Sequence, residues 1–153
     1  FTYLEESPAT CKVVLGDARL SLEEEKSQQF DILVMDVFRG DAVPVHLLTR
    51  EAVALYLRHL KQDGILVVNI SNRHLDMWPL MNTLARTFDL ETATITATTG
   101  GSEGLTTSRW VLLSRSGDFL SSPVVREATD EMDESATVRV WTDNYSSLFS
   151  VLR

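Results

Sequence analysis

The sequence has a single cysteine, Cys11, so no internal disulfide framework can form and the chain fits a reducing compartment. Basic residues are also scarce. Fourteen Lys and Arg stand against 22 Asp and Glu, a net charge of −8, which argues against a general nucleic-acid binder with its basic face. The same charge is compatible with a cationic ligand, although acidic surfaces also serve solubility. No apolar run approaches the roughly 20 residues that cross a bilayer as a helix. Residues 1–10 lack the basic start of a secretory signal and carry Glu5 and Glu6. There is no initiating methionine, which suggests a processed or cut chain. Several motifs are missing as well: G-x-G-x-x-G, the P-loop and the G-x-S-x-G nucleophile elbow. His46, His59 and His74 are not spaced as metal ligands and no cysteine pair accompanies them, so no metal site is expected.

What is present is ordinary globular material. At 153 residues and 44% hydrophobic content the chain suffices for one domain, residues 1–153, with a sizeable core. The run CKVVLG (11–16) is β-branched and stopped by Gly16 and Asp17, which predicts a buried strand. ARLSLEEEKSQQ predicts a short helix with its acids on a wet face. FDILVMD (30–36) predicts a second strand, apolar on both faces as inside a parallel sheet. After a loop with Gly40 and Pro44, Thr49 is suited to cap a helix, with Glu51 in its first turn. Val53, Tyr56, Leu57 and Leu60 recur at helical spacing, and QDG (62–64) is expected to end that helix.

ILVVNIS (65–71) predicts a third core strand. Asp76 then suits the cap of a helix striped by Met77, Leu80, Met81, Leu84, Ala85 and Phe88, with Pro79 tolerated in its first turn. TATITAT (92–98) alternates polar and apolar and RWVLLS (109–114) follows a glycine-rich tip, which predicts a long hairpin. Ser122-Pro123 opens a last acidic helix, and VRVW (138–141) with TDNYSSLFSVLR closes the chain. Alternating strands and helices followed by an antiparallel pair define an α/β class, and ligands of such sheets sit beyond the carboxyl ends of the parallel strands.

That rule draws the eye to DILVMDVFRGDAVP (31–44), a core-like run ending in Asp36 with Asp41 soon after. A carboxylate at the end of a buried strand costs desolvation unless it is paired or does chemistry. Asp17, Asp36 and Ser71 to Arg73 all fall at expected strand ends, so Asp17 and Asp36 are candidates for a carboxylate pair on one rim. Each is also suited to cap a helix or to pair with an arginine such as Arg19 or Arg39. His59 suits a helix C-terminus and its dipole, and His74 a surface position. Trp78 and Trp141 read as packing. A phosphoacceptor receiver would want a lysine at a later strand end, where Ser71-Asn72-Arg73 and Thr98-Thr99 stand instead.

Through VVLGDARLSL, FDILVMDVFRGDAVPVHLLTREAVALYLRHLKQDGILVVNISN and VWTDNYSSL, the chain resembles the spermidine synthase-like aminopropyltransferases. It is most similar to a bacterial branch often fused to a transporter-like membrane segment. The resemblance covers about residues 1–116 and 140–153. It implies a partial Rossmann-like fold of the S-adenosylmethionine-dependent methyltransferase kind, with a mostly parallel sheet and a C-terminal antiparallel hairpin. The family's glycine-rich first strand and N-terminal region would lie upstream of Phe1, so the chain is expected to be the C-terminal part of a larger catalytic domain. As a fragment it is expected to be weakly active or inactive.

By the same resemblance, Asp17 with Ala18 would hold the nucleoside, Asp36 would be proton acceptor and amine anchor, and Asp41 would contact the amine substrate. The implied co-substrate is decarboxylated S-adenosylmethionine (or S-adenosylmethionine), with no tightly bound cofactor and no metal. The implied partners are a small polyamine or amine, with no nucleic acid and no direct membrane insertion, in a cytoplasmic homo-oligomer or the cytoplasmic domain of a membrane-fused parent. Polyamine-making members carry an acid three positions after the catalytic one. Arg39 stands there, so the amine acceptor is left open. Trp141, Asp143 and Tyr145 suit either the rim of the amine site or packing of the tail. The alternatives are a methyltransferase on the same fold and a non-catalytic domain that senses polyamine or nucleoside. The family's missing strands would lie between 12–16 and 31–36, so the exposed edge is expected to self-associate or to close by direct pairing of those two segments.

Overall fold

The computed structural model describes residue 2 and residues 4–37, 43–99 and 106–153, with the side chains of 99 and 106 left aside. Arg39, Asp41 and the glycine-rich hairpin tip lie outside the described residues. Helix α1 (Ala18–Glu24) is followed by β1 (Phe30–Met35), α2 (Arg50–His59), β2 (Leu60–Asn69) and α3 (Trp78–Thr87). A hairpin of β3 (Glu91–Thr99) and β4 (Thr106–Ser114) comes next, then the short α4 (Gly117–Leu120) and α5 (Pro123–Ala128).

The four strands form one sheet in the order β1-β2-β4-β3. β1 and β2 run parallel, while β2–β4 and β3–β4 are antiparallel. The sheet is therefore mixed, a correction to the mostly parallel sheet expected, and the hairpin inserts its second strand beside β2. The α/β class holds. Alternation along β2 and β4 sends Leu66, Val68, Val111 and Leu113 into a large core with α2 and α3. Ile65 and Leu112 face the other way, toward Leu120 of α4 and Val125 of α5. Each such buried aliphatic side chain contributes roughly 1.5–3 kcal/mol of transfer free energy, so the helix stripes hold the layers together. Leu80 and Leu84 of α3 and Ala52 of α2 are wholly enclosed.

Three further expectations are corrected. Residues 11–16 form no strand, and Val13, Val14 and Leu15 are 67%, 51% and 92% exposed. A strand needs a ladder partner for its amides and carbonyls, and among the described residues none lies beside this segment. Direct pairing with 31–36 is likewise absent: among the described residues β1 pairs with β2 alone. Second, β1 is not apolar-buried on both faces, since Ile32 and Val34 are 55% and 54% exposed. The helices α4 and α5 that cover this face pack on Ile65 of β2, Ala93 of β3 and Leu112 of β4. Third, α2 ends at His59 and β2 begins at once at Leu60, so QDG belongs to the strand. The register between β1 and β2 shifts between Phe30 and Ile32. Gly64 sits at that irregularity, where a Cβ would come within 2.9 Å of the Phe30 carbonyl oxygen.

The tail decides the shape of the surface above α2. From 129 onward it crosses α3, where Trp78 Nε1 donates to the Asp133 carbonyl at 2.8 Å and Asn82 Nδ2 donates to the carbonyls of Glu134 and Ala136. Trp141 is fully buried, and its carbonyl accepts from Arg50 N at 2.8 Å at the start of α2. The next residues, 142–146, are thereby laid against the N-termini of α1 and α2.

Candidate functional site

α1 begins where the sequence places an acid after a glycine. Gly16 has φ +142°, open to glycine and costly to other residues. It turns the chain so that Asp17 caps the helix, with Oδ1 accepting from Leu20 N at 3.0 Å. Thr49 performs the same task for α2, its Oγ1 accepting from Ala52 N at 3.2 Å while the residue is 1% exposed. Two capped N-termini thus face one opening. Between them lies a cleft of about 1130 Å³, walled by Asp17, Arg19 and Glu23 of the α1 region, by 43–46 and Thr49, and by 142–146.

Arg19 ties these walls together. Nη1 and Nη2 donate to Asp143 Oδ1 and Oδ2 at 2.8 and 2.6 Å, a bidentate pair across 124 residues of sequence. Nη1 also donates to the His46 carbonyl at 2.7 Å, and Nε to Glu23 Oε1 at 3.0 Å. Thr49 Oγ1 donates to Asp143 Oδ1 at 2.8 Å. The Arg19 hydrogen bonds hold the Asp143 carboxyl below the usual carboxylate range, and the bond to Asp143 in turn raises the Arg19 guanidinium above its own ordinary value. Asp17 is likewise lowered, chiefly by the Leu20 amide. Its Oδ2 lies 3.3 Å from His46 Nε2. Tyr145 closes the far side, its ring covered by the Arg139 guanidinium at 3.9 Å from the centroid. Among the described residues of this lining acids outnumber bases, which favours a cationic or hydrogen-bond-donating ligand.

The structure places Asp17 on this cleft, with Ala18 opening the helix behind it. Asp36 stands apart. It lies just past β1, exposed, with Oδ1 accepting from Asn69 Nδ2 at 2.8 Å, and it does not line the cleft. Ser71 and Asn72 turn β2 toward α3: Ser71 Oγ accepts from Arg109 N, and Asn72 Oδ1 accepts from the amides of His74 and Leu75. His46 is on the cleft, His74 is exposed, and His59 is buried, stacked on Phe30 and 2.9 Å from the Leu22 carbonyl oxygen. Of the residues left open, Trp141 packs in the core while Asp143 and Tyr145 line the cleft. The pairing of Arg19 with Asp143 is not legible in the sequence, because nothing local links positions 124 residues apart. Among the described residues no three His, Cys, Asp or Glu are grouped to hold a metal. No described helix is long and apolar enough to cross a membrane.

An α/β domain with a mixed sheet and a polar cleft over its helix N-termini defines the class, and comparison with known proteins narrows it. The fold is similar to that of a probable spermidine synthase from Corynebacterium glutamicum, with a TM-score of 0.58 and 24% identity over 90% of this chain and 56% of that one. It is similar also to spermidine synthase from Thermotoga maritima, with a TM-score of 0.54 and 17% identity over 88% of this chain and 47% of that one. Over 71 residues, 45% of this chain and 23% of the relative, the sequence is 35% identical to a polyamine aminopropyltransferase from Vibrio vulnificus. No family model matches. The chain thus resembles spermidine synthases in fold and, over those 71 residues, a polyamine aminopropyltransferase in sequence, and it spans about half the length of those solved structures and under a quarter of the curated relative.

Proposed function

We propose that the chain is the C-terminal part of an aminopropyltransferase domain, which moves an aminopropyl group from decarboxylated S-adenosylmethionine to an amine acceptor. The observation that carries this reading is the 35% identity over 71 residues to a polyamine aminopropyltransferase. The acids Asp17, Glu23 and Asp143 of the cleft support it, since decarboxylated S-adenosylmethionine is a cation.

In this reading Asp17 and the α1 N-terminus face the nucleoside, and Tyr145 offers an aromatic wall. Asp36 attracts and orients the amine, and Asp41 is assigned to the same substrate. An alkylammonium has a pKa of roughly 10 and must lose a proton before it attacks. The amine lone pair then forms an N–C bond to the carbon next to the sulfonium. The C–S bond breaks with its electrons going to sulfur, which leaves as a neutral thioether. Asp36 receives the amine proton on its way to water. Its bond from Asn69 fixes the carboxylate, so orientation is prepaid in the fold. The domain acts in the cytoplasm as a homo-oligomer, alone or as part of a membrane-fused parent.

The test is calorimetric titration of decarboxylated S-adenosylmethionine into the chain, and into the chain extended upstream in its reading frame, with Asp17→Ala and Asp36→Ala controls. Saturable binding weakened by Asp17→Ala, and turnover of an amine abolished by Asp36→Ala, are expected. Absence of binding by the folded, extended protein would sink the reading. Methyl transfer from S-adenosylmethionine in its place would select the methyltransferase alternative, and binding without turnover the sensing one.

A further inference from the structure

Arg19 has more partners than a surface ion pair requires. Its side chain is 14% exposed, and it meets acceptors on its own helix (Glu23), on the segment before α2 (the His46 carbonyl and Thr49) and on the tail (Asp143). These are the three walls of the cleft. Asp17, two residues earlier, has one carboxylate oxygen on the Leu20 amide and the other near His46. His46 is thus held at its carbonyl by Arg19 and meets Asp17 through its ring. Asp143 is set by the same guanidinium and by Thr49, and its amide donates to Glu51 Oε2 at 3.1 Å.

We propose that Arg19 is the positioning residue of this cleft: by clamping the 142–146 turn and the His46 backbone against α1, it sets the direction in which Asp17 meets a bound nucleoside. The identity of that ligand rests on the proposed function; the clamp does not. A lysine cannot replace it, because a single ammonium has no planar fork to hold both Asp143 oxygens while reaching His46.

Two measurements on the full-length protein test this. The first is the affinity for 5′-methylthioadenosine, the thioether product of the proposed transfer, in Arg19→Lys, Arg19→Gln, Asp17→Ala and the Arg19→Gln/Asp17→Ala double variant. Each Arg19 variant is expected to bind about tenfold or more weakly, the scale of one charge-assisted hydrogen bond. Asp17→Ala is expected to cost much less in the Arg19→Gln background than in the parent. A purely stabilising arginine would leave that cost equal in both, which would overturn the proposal. The second is hydrogen exchange. Amides of 142–146 are expected to exchange faster in Arg19→Lys while those of β2 and β4 stay protected. Unchanged exchange at 142–146 would remove the clamp whatever the ligand result. A parent protein that binds no methylthioadenosine would count against the aminopropyltransferase reading, and the exchange data would then decide the clamp alone.

Discussion

Replacing Thr49 by valine keeps the volume of a side chain that is 1% exposed and deletes its hydroxyl. That hydroxyl accepts from Ala52 N at 3.2 Å and donates to Asp143 Oδ1 at 2.8 Å. Loss of an N-cap acceptor costs about 1 kcal/mol, and here it leaves a buried amide without its partner. The Asp143 bond is worth less than a buried charged hydrogen bond, because that carboxylate is 41% exposed and keeps Arg19; roughly 0.5–1 kcal/mol is reasonable. Thr49→Val should therefore destabilise by about 2 kcal/mol, a Tm shift of about 4–8 °C for a chain of this size. Thr49→Ser retains both bonds and loses one methyl group, about 0.8 kcal/mol. Urea unfolding of the two variants side by side separates the hydroxyl from the packing. If valine proves as stable as serine, the Thr49 hydroxyl is not what fixes the start of α2.

Two other outcomes are expected. Asp143 and Asp17 are both lowered on folding, by the Arg19 hydrogen bonds and the Leu20 amide respectively, so the unfolded chain binds more protons in the window from its carboxylate pKa of about 3.9 downward. Their contribution is present above that value and is lost as pH falls through the folded-state values; Asp143→Asn should flatten this acid limb in unfolding series from about pH 5 down to about pH 2, and an unaltered slope would show that the Arg19 pair does not cause it. The outer edge of β1, with Ile32 and Val34 more than half exposed, should drive self-association that Ile32→Lys weakens. Sedimentation velocity over a range of concentrations checks it, and a monomer throughout would contradict the expectation.

The local elements were legible because their causes are local. The Asp17 and Thr49 caps, the α2 stripe of Val53, Tyr56 and Leu57, the α3 stripe through Leu80 and Leu84, and the β3–β4 hairpin all depend on neighbours within a few residues. What pairs with a strand is another matter. VVL at 13–15 has every local mark of a buried strand and forms none, since propensity cannot supply a ladder partner. The cleft divides along the same line. Asp17 was visible from its glycine and its helix, and the acid of 143 from its motif, but only the path of the tail over α3, anchored by Trp141 and Asn82, brings Asp143 to Arg19. By itself the sequence determined where α1 and α2 start, which faces of α2 and α3 are apolar and that Asp17 stands at the start of α1. Tertiary structure alone decided that Asp143 meets Arg19, because charge pairing acts through a few ångströms of space and is indifferent to separation along the chain.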